Sequence, residues 1–434
     1  MPKGKTFPRL PGFRDFAPET LAEREHVFRT WRSVARRYGF QEYDGPPLEP
    51  LELYREKSGD EIVGQLYAFV DKGGREVSLR PEMTPSLARM LGERSRAMAK
   101  PIRWFSIPQL FRYERQQRGR LREHFQWNVD ILGEAGTGAD AEVLAVAVDA
   151  LRGLGLGPND FLARVSDRRL LSAILDALGV PRDRIAATYT DIDKYERVGQ
   201  DATRARLRES AGLAPRAVDS LLEILDGSGL DVVEDLLGER DAVGASLSEL
   251  RRYRADLAAM GLDPFLRFDL RIVRGLAYYT GIVFELFDRG GEMRAICGGG
   301  RYDRLLERVG GEPLAAVGFG MGDVVLTELL RDRGLLPGTT PSMDWFIASV
   351  SPAQRLLGRE IAHVLRESGS TVAYALEQRP VRKQLAMAAR QGARKVILLG
   401  PEETARGVAV IRDMAQGSQQ EVSLADLRRG GPTP

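Results

Sequence analysis

The stretch whose reading decides the fold is FRYERQQRGRLREHFQ, residues 111–126. It lies between two apolar runs, IRWFSIPQL before it and WNVDILG after it. That pattern predicts two strands joined by a basic loop, Arg115 to Arg122, which puts cations at the rim of a sheet. Five arginines fall between Arg112 and Arg122. Such density is ordinarily a solvated charge run, but Arg112 sits in the apolar LFRY, where an unpaired buried charge is costly. On the return strand Gln126 and Asp130 are four residues apart, so they share a face and should face Arg112 if the hairpin pairs simply. A guanidinium is well suited to grip phosphate with two parallel hydrogen bonds.

Working outward, EVSLRPEMTPSLARM (76–90) predicts a short strand, a proline turn and a helix from Thr84. Thr84 suits a helix cap. Alternatively, Glu82 and Thr84 supply the carboxylate and extra lone pair that an ammonium ligand needs. Further upstream, Leu21, Val27, Phe28, Trp31, Val34 and Ala35 are spaced for a helix ending at Gly39. Pro46 and Pro47 then force an extended exit. Between about 170 and 262 strand signals fade and helical periodicity dominates, as in a helical insertion. Strand-rich text resumes at FLRFDLRIVRGLAYYTGIVFELF (265–287). AICGGGRYDRLLERVG and LAAVGFGMGDVVLTELL each predict an apolar strand, a glycine patch and a helix. The prolines and glycine of DRGLLPGTTPSMDWF mark a boundary. The expected division is residues 1–330, a linker at 331–342, and a last domain at 343–434. There WFIASV, TVAYAL, KVILLG and VAVIRD alternate with two helical segments, an α/β pattern.

Composition narrows the function. The chain has 434 residues, 43% hydrophobic and 29% charged. That allows two to four domains and excludes disorder as its main character. A net charge of +2 announces no nucleic-acid binder, so any basic surface is local. The single cysteine, Cys297, excludes an intramolecular disulfide and a thiolate zinc site. His26, His124 and His363 are far apart, so no metal site is expected. The start lacks the apolar core of a secretory signal, and no apolar run approaches 18 residues, so a cytoplasmic protein without membrane contact is expected.

GFGMGD superficially resembles a dinucleotide loop but lacks its βαβ context. Its glycines serve close strand–helix packing or a ligand lying on bare backbone. RIVRGLAYYTG supplies Arg274, Tyr278 and Tyr279; on a strand the two tyrosines face opposite ways, so only one shares Arg274's partner. GGGRYD brings Tyr302 onto a glycine floor. Each tyrosine alone reads as packing. Together with an acid, a hydroxyl and two arginines, they describe a pocket for a small polar ligand and a phosphate.

These residues resemble the class II aminoacyl-tRNA synthetases and, within them, the histidyl-tRNA synthetase family. The resemblance runs from GFRDFAPE (12–19) into the last domain. The first helix with its double proline resembles motif 1, FRYERQQRGRLREHFQ motif 2, and AVGFGMGDVVL motif 3. RGLAYYTG and GGGRYD resemble the blocks special to the histidyl family. The resemblance implies an α+β fold: an antiparallel catalytic sheet with flanking helices, a helical insertion and a C-terminal α/β anticodon-binding domain. It implies ATP as substrate with Mg2+, L-histidine and tRNA(His) as partners, and a homodimer built largely on an apolar face of the motif 1 helix. Arg112 and Arg274 would hold the α-phosphate, with Glu114 near the adenine and Arg120 also on ATP. Glu82, Thr84 and Gln126 would take the α-ammonium of histidine. Asp130 and Tyr279, with Tyr278 and Tyr302, would reach the imidazole. RPVRKQ, Arg390, Arg394 and Lys395 would face tRNA phosphates.

Two positions depart from the family pattern: Val325 stands at the motif 3 arginine, and Ala277 where the histidyl block carries an acid. Losing a guanidinium at a phosphate costs roughly 1.5–3 kcal/mol. Arg120 and Arg301 are the cations available to compensate. A rival reading is a histidine-sensing paralogue such as the regulatory subunit of ATP phosphoribosyltransferase. That paralogue lacks the last domain, which 343–434 resembles. A synthetase-like enzyme acting on another acceptor is the third reading.

Overall fold

The computed structural model describes residues 7–58, 64–92, 94–115, 117–227, 229–273, 279–291, 293–308, 313–338 and 343–430. The chain forms two compact units, Met1–Pro337 and Gly338–Pro434. Helix α13 (below) runs to Asp332, so the first residues of the expected 331–342 linker are helical.

The first unit opens with α1 (Pro18–Arg37). Pro18 sits in the first turn, where its missing N–H costs nothing. Gly39, at φ +76°, then turns the chain away. Val27, Phe28, Trp31, Val34 and Ala35 are buried. Trp31 stacks on Trp127, ring centroids 5.7 Å apart. The helix therefore spends its apolar stripe inside its own chain. The side of α1 turned away from this core carries Arg29, Arg32 and Arg36.

After α1 come β1 (Gln41–Glu42), β2 (Leu48–Pro50), α2 (Leu51–Ser58), β3 (Ala68–Val70), β4 (Glu76–Leu79), α3 (Thr84–Leu91), β5 (Ile102–Ser106), β6 (Gln109–Phe111), β7 (Glu123–Leu132), α4 (Thr137–Gly153) and β8 (Phe161–Asp167). The helical insertion is α5 (Arg168–Ala177), α6 (Ile185–Asp193), α7 (Tyr195–Val198), α8 (Gln200–Ser210), α9 (Pro215–Asp226), α10 (Asp231–Leu237) and α11 (Asp241–Ala259). The Asp167 carboxylate caps its first helix by accepting from the N–H groups of Arg169 and Leu170. The unit closes with β9 (Leu266–Phe268), β10 (Ile282–Asp288), β11 (Cys297–Arg301), α12 (Leu305–Arg308), β12 (Ala316–Gly322) and α13 (Asp323–Asp332).

The main sheet runs β1-β5-β7-β12-β11-β10-β8-β9, with β6 pairing β7 beside this path. Its pairs are antiparallel except β1–β5 and β8–β9. A smaller sheet, β2-β4-β3, lies apart. Alternation divides β7 cleanly. Trp127, Val129 and Ile131 join the core beneath α1 and α4, and Gln126, Asn128 and Asp130 take the other face. The helix α4 buries alanines and valines nearly all round, so backbones approach closely.

Three expectations change here. The glycine patches do not follow their strands; they lie within β11 and β12. The outgoing limb of the basic hairpin is split by Pro108 into β5 and β6. Thr84 is the first residue of α3 rather than its cap, which is Met83 with no side-chain bond.

The second unit comprises β13 (Met343–Ser349), α14 (Pro352–Glu367), β14 (Val372–Tyr374), α15 (Val381–Arg390), β15 (Ala393–Leu399), α16 (Pro401–Ala405), β16 (Val408–Asp413), β17 (Gln419–Ser423) and α17 (Leu424–Leu427). Its sheet order is β14-β13-β15-β16-β17. Trp345 and Ile347 pack on one face, Phe346 and Ala348 on the other. β17 is an addition to the expected strands; its polar QQEVS carries no apolar signal. No described helix is long and apolar enough to cross a membrane.

Candidate active site

Register builds the floor of the site. Asp130 lies opposite Gly318, Asn128 opposite Gly320 and Gln126 opposite Gly322. On the next strand Gly300 pairs with Gly318 and Gly298 with Gly320. Bare backbone therefore faces the cavity along two neighbouring strands, flanked by the polar side chains of β7. The spacing is enforced. A Cβ on Gly318 would meet the Asp130 carboxylate and, at 2.9 Å, the Tyr302 hydroxyl; one on Gly320 would meet the Gln126 amide at 2.7 Å.

Over this floor lies an inner cavity of ≈ 140 Å³. Glu82, Thr84, Arg112, Gln126, Asn128, Asp130, Tyr279 and Tyr302 line it. Seven of these were singled out from the sequence; Asn128 was not, although it shares the strand face of Gln126 and Asp130. The Tyr302 hydroxyl donates to the buried Asp130 carboxylate. Tyr279 stands beside Tyr302, ring centroids 6.5 Å apart. The turn carrying Glu82 is anchored by buried Arg80, which donates to Asp44 at 2.8 Å and to the Gly45 carbonyl at 2.6 Å. Arg112 Nε donates to the Pro81 carbonyl at 3.0 Å, tying the basic hairpin to that turn.

A larger cavity of ≈ 590 Å³ continues outward, within the range of about 300–1,000 Å³ usual for ligand clefts. Arg112, Gln126, Gly298 and Gly320 line both spaces. The outer walls add Glu114, Arg120, His124, Glu285, Arg294, Val324 and Val325. Glu114 and Arg120 form an ion pair. His124 is held neutral, its pKa lowered to about 3 by burial and then by Arg112, Arg14 and Arg120. Arg120 is itself pulled down by burial, Arg294 and Arg112, so the cavity is a field of crowded cations. Sequence reasoning passed over His124, Glu285 and Arg294. The first lies on the Arg112 face two residues before Gln126; the others come from β10 and its exit, which the motifs do not mark.

The acid of GFGMGD braces the site. Asp323 accepts from Arg14 at 2.9 Å and from the Phe125 N–H at 2.9 Å, while Arg14 also holds Glu123 at 2.6 Å. Burial pushes Asp323 up, and these acids hold the Arg14 cation. Arg301 is corrected from a compensating cation to a buried strut. It donates to Asp140 at 2.6 Å and to the carbonyls of Glu134 and Gly136, pinning β11 to α4. Arg274, Tyr278 and Ala277 lie outside the described residues. Among the described residues no group of three or more His, Cys, Asp or Glu is placed to hold a metal.

The inner space can receive a compact ligand with an ammonium, read by Glu82, Thr84 and Gln126, and a ring with polar edges, read by Asp130 and the tyrosines. The outer space offers guanidiniums and bare backbone to a longer anion. Arg112 stands where the two would meet.

Residues 12–323 match the family described as histidyl-tRNA synthetase, and 344–429 match an anticodon binding domain. A histidine–tRNA ligase of Opitutus terrae is 46% identical over 96% of this chain and 96% of its own. A chloroplastic/mitochondrial histidine–tRNA ligase of Arabidopsis thaliana is 40% identical over 96% of this chain and 85% of its own. The histidyl-tRNA synthetase structure from Nostoc sp. PCC 7120 superposes with a TM-score of 0.82 at 25% identity, covering 98% of this chain and 99% of that one.

Proposed function

The chain belongs to the histidyl-tRNA synthetase family and ligates histidine to tRNA, and from that premise we propose how its residues divide the work. Histidine occupies the inner cavity, and ATP the outer one. The histidine carboxylate attacks the α-phosphorus; the bond to the bridging oxygen breaks and pyrophosphate leaves. A tRNA hydroxyl then attacks the histidyl carbonyl and releases AMP. Arg112, at the junction, faces the charge that grows on the α-phosphate, with Arg274 as its partner. This is electrostatic stabilisation by a pre-placed donor, with no proton transferred by Arg112. Glu82, Thr84 and Gln126 receive the ammonium. Asp130, Tyr279, Tyr302 and Tyr278 read the imidazole, and Glu114 and Arg120 lie along ATP. A ligand lacking either ring nitrogen forfeits its hydrogen bond to Asp130 or to a tyrosine, which disfavours it against histidine.

Mg2+ typically takes one or two carboxylates plus substrate phosphates. Glu285 in the outer cavity fits that donor set, and the ion would neutralise phosphate charge there. The chain divides into a catalytic domain, 1–330, a linker at 331–342 and an anticodon-binding domain, 343–434. We place it in the cytoplasm as a homodimer. Leu48, Phe69 and Val70, exposed on the small β2-β4-β3 sheet, support a second subunit's covering that surface. The match of 344–429 to an anticodon binding domain speaks against a purely regulatory role.

The observation that carries this reading is the sharing of Arg112 and Gln126 between the two cavities. Exchange of pyrophosphate into ATP, run with each amino acid in turn, tests it. Histidine alone should support exchange; exchange with several amino acids would refute the assigned pocket.

A further inference from the structure

Taking the larger cavity as the ATP site, as proposed above, we propose that Arg294 is a nucleotide-binding residue that contacts the terminal phosphates of ATP. Among the described residues three guanidiniums line this cavity: Arg112, Arg120 and Arg294. Arg112 stands at the inner junction, where the α-phosphate belongs. Arg120 is engaged by Glu114. Arg294 comes from the chain between β10 and β11 and reaches the tip of the basic hairpin. Its Nη2 donates to the neutral amide oxygen of Gln117, and no ion pair with a carboxylate forms at Arg294 among the described residues. A guanidinium presenting unused donors to a cavity is suited to an anion that enters it.

The neighbouring α13 wall explains why this cation is needed. The start of α13 gives the cavity Val324 and Val325, which offer no charge and no donor side chain. A Cβ on Gly119, at the hairpin tip, would lie 3.1 Å from Val325 Cγ2 and 3.8 Å from Arg294 Cδ. The Arg294 stem and Val325 thus flank the same bare backbone. The phosphate grip that the α13 wall does not offer is supplied from the β10–β11 side. Crowding supports this: Arg294 and Arg112 both disfavour the charged form of Arg120, a repulsion that a bound polyanion would relieve.

Histidine-dependent pyrophosphate exchange, with ATP varied at saturating histidine, tests the assignment in the full-length protein. Arg294→Met should raise the ATP KM roughly 10- to 100-fold, the scale of a lost hydrogen bond to a charged group. The histidine KM should not move, and Arg294→Lys should recover part of the loss. Competition by AMP should be unchanged in Arg294→Met, because AMP lacks the terminal phosphates. Gln117→Ala, which removes the neutral partner of Arg294, should leave the ATP KM at its wild-type value. An unchanged ATP KM in Arg294→Met overturns the proposal alone. So does equal weakening of AMP, or a Gln117→Ala variant that reproduces the loss, since Arg294 would then act only by holding the loop. A wild-type protein that exchanges nothing with ATP would overturn the ATP-site reading itself, and this proposal with it.

Discussion

Replacing Gly320 by alanine puts a methyl group where the Gln126 amide now lies. The nearest atoms, the Gln126 carbonyl carbon and amide nitrogen, would be 2.7 Å from the new Cβ, against 3.4 Å at the near edge of ordinary contact, so they must retreat by about 0.7 Å. The obstructing atoms are the end of a flexible side chain, so the sheet keeps its pairing and the protein folds. What is lost is the position of one ammonium acceptor. A hydrogen bond to a charged group is worth about 1.5–3 kcal/mol, so histidine should bind roughly 10- to 100-fold more weakly. The readout is the histidine KM in pyrophosphate exchange, with the ATP KM essentially unmoved and the melting temperature near wild type. Gly318→Ala makes the contrast. There the new Cβ would meet the Val129 carbonyl at 2.6 Å, backbone of the neighbouring strand, and only parting β12 from β7 relieves it. An unchanged histidine KM in Gly320→Ala would refute the placement of the ammonium beside Gln126.

Asp140→Ala strips Arg301, only 3% exposed, of its buried carboxylate and leaves it the more exposed Asp303 at 3.1 Å, so it should cost about 3 kcal/mol in urea denaturation, the low end for a broken buried pair. His124 has a folded pKa of about 3 against 6.5 unfolded, so the stability it contributes is full above pH 6.5 and is lost as pH falls toward 3. His124→Phe should therefore flatten stability across that window, measured by thermal melts between pH 7 and 4. In the second unit Arg394 reaches Asp344 and Lys395 lies over the Trp345 ring, whereas Arg382 and Lys383 make no ion pair among the described residues. The double change Arg382→Ala/Lys383→Ala should raise the tRNA KM and flatten its salt dependence, by about one unit of slope for each phosphate no longer neutralised, with pyrophosphate exchange intact.

Much of the inner pocket could be read from the sequence because β7 obeys a period of two: once it is a strand, Gln126 and Asp130 must share a face. The glycines were harder. Glycine weakens a strand, so in AICGGGRYD and GFGMGD the glycine patch reads as following the strand rather than as part of it. Here the cavity's side chains occupy the space a Cβ would take, and that depends on the register between β7, β11 and β12. Arg301 was misplaced for a related reason, since its partner Asp140 is 161 residues away and no local pattern joins them. Glu285 and Arg294 enter the site through the same long-range pairing. On α1 the apolar spacing was legible but its destination was not; periodicity shows that a face is buried, and only the fold shows against what.

The most direct test of the central claim, that Arg112 stands between the histidine and ATP pockets at the reacting phosphate, is Arg112→Ala assayed at saturating histidine and ATP. The account predicts a fall in the pyrophosphate-exchange kcat of about 100- to 1,000-fold, the cost of one transition-state donor, with histidine affinity nearly unchanged. Exchange at close to the wild-type rate would contradict it.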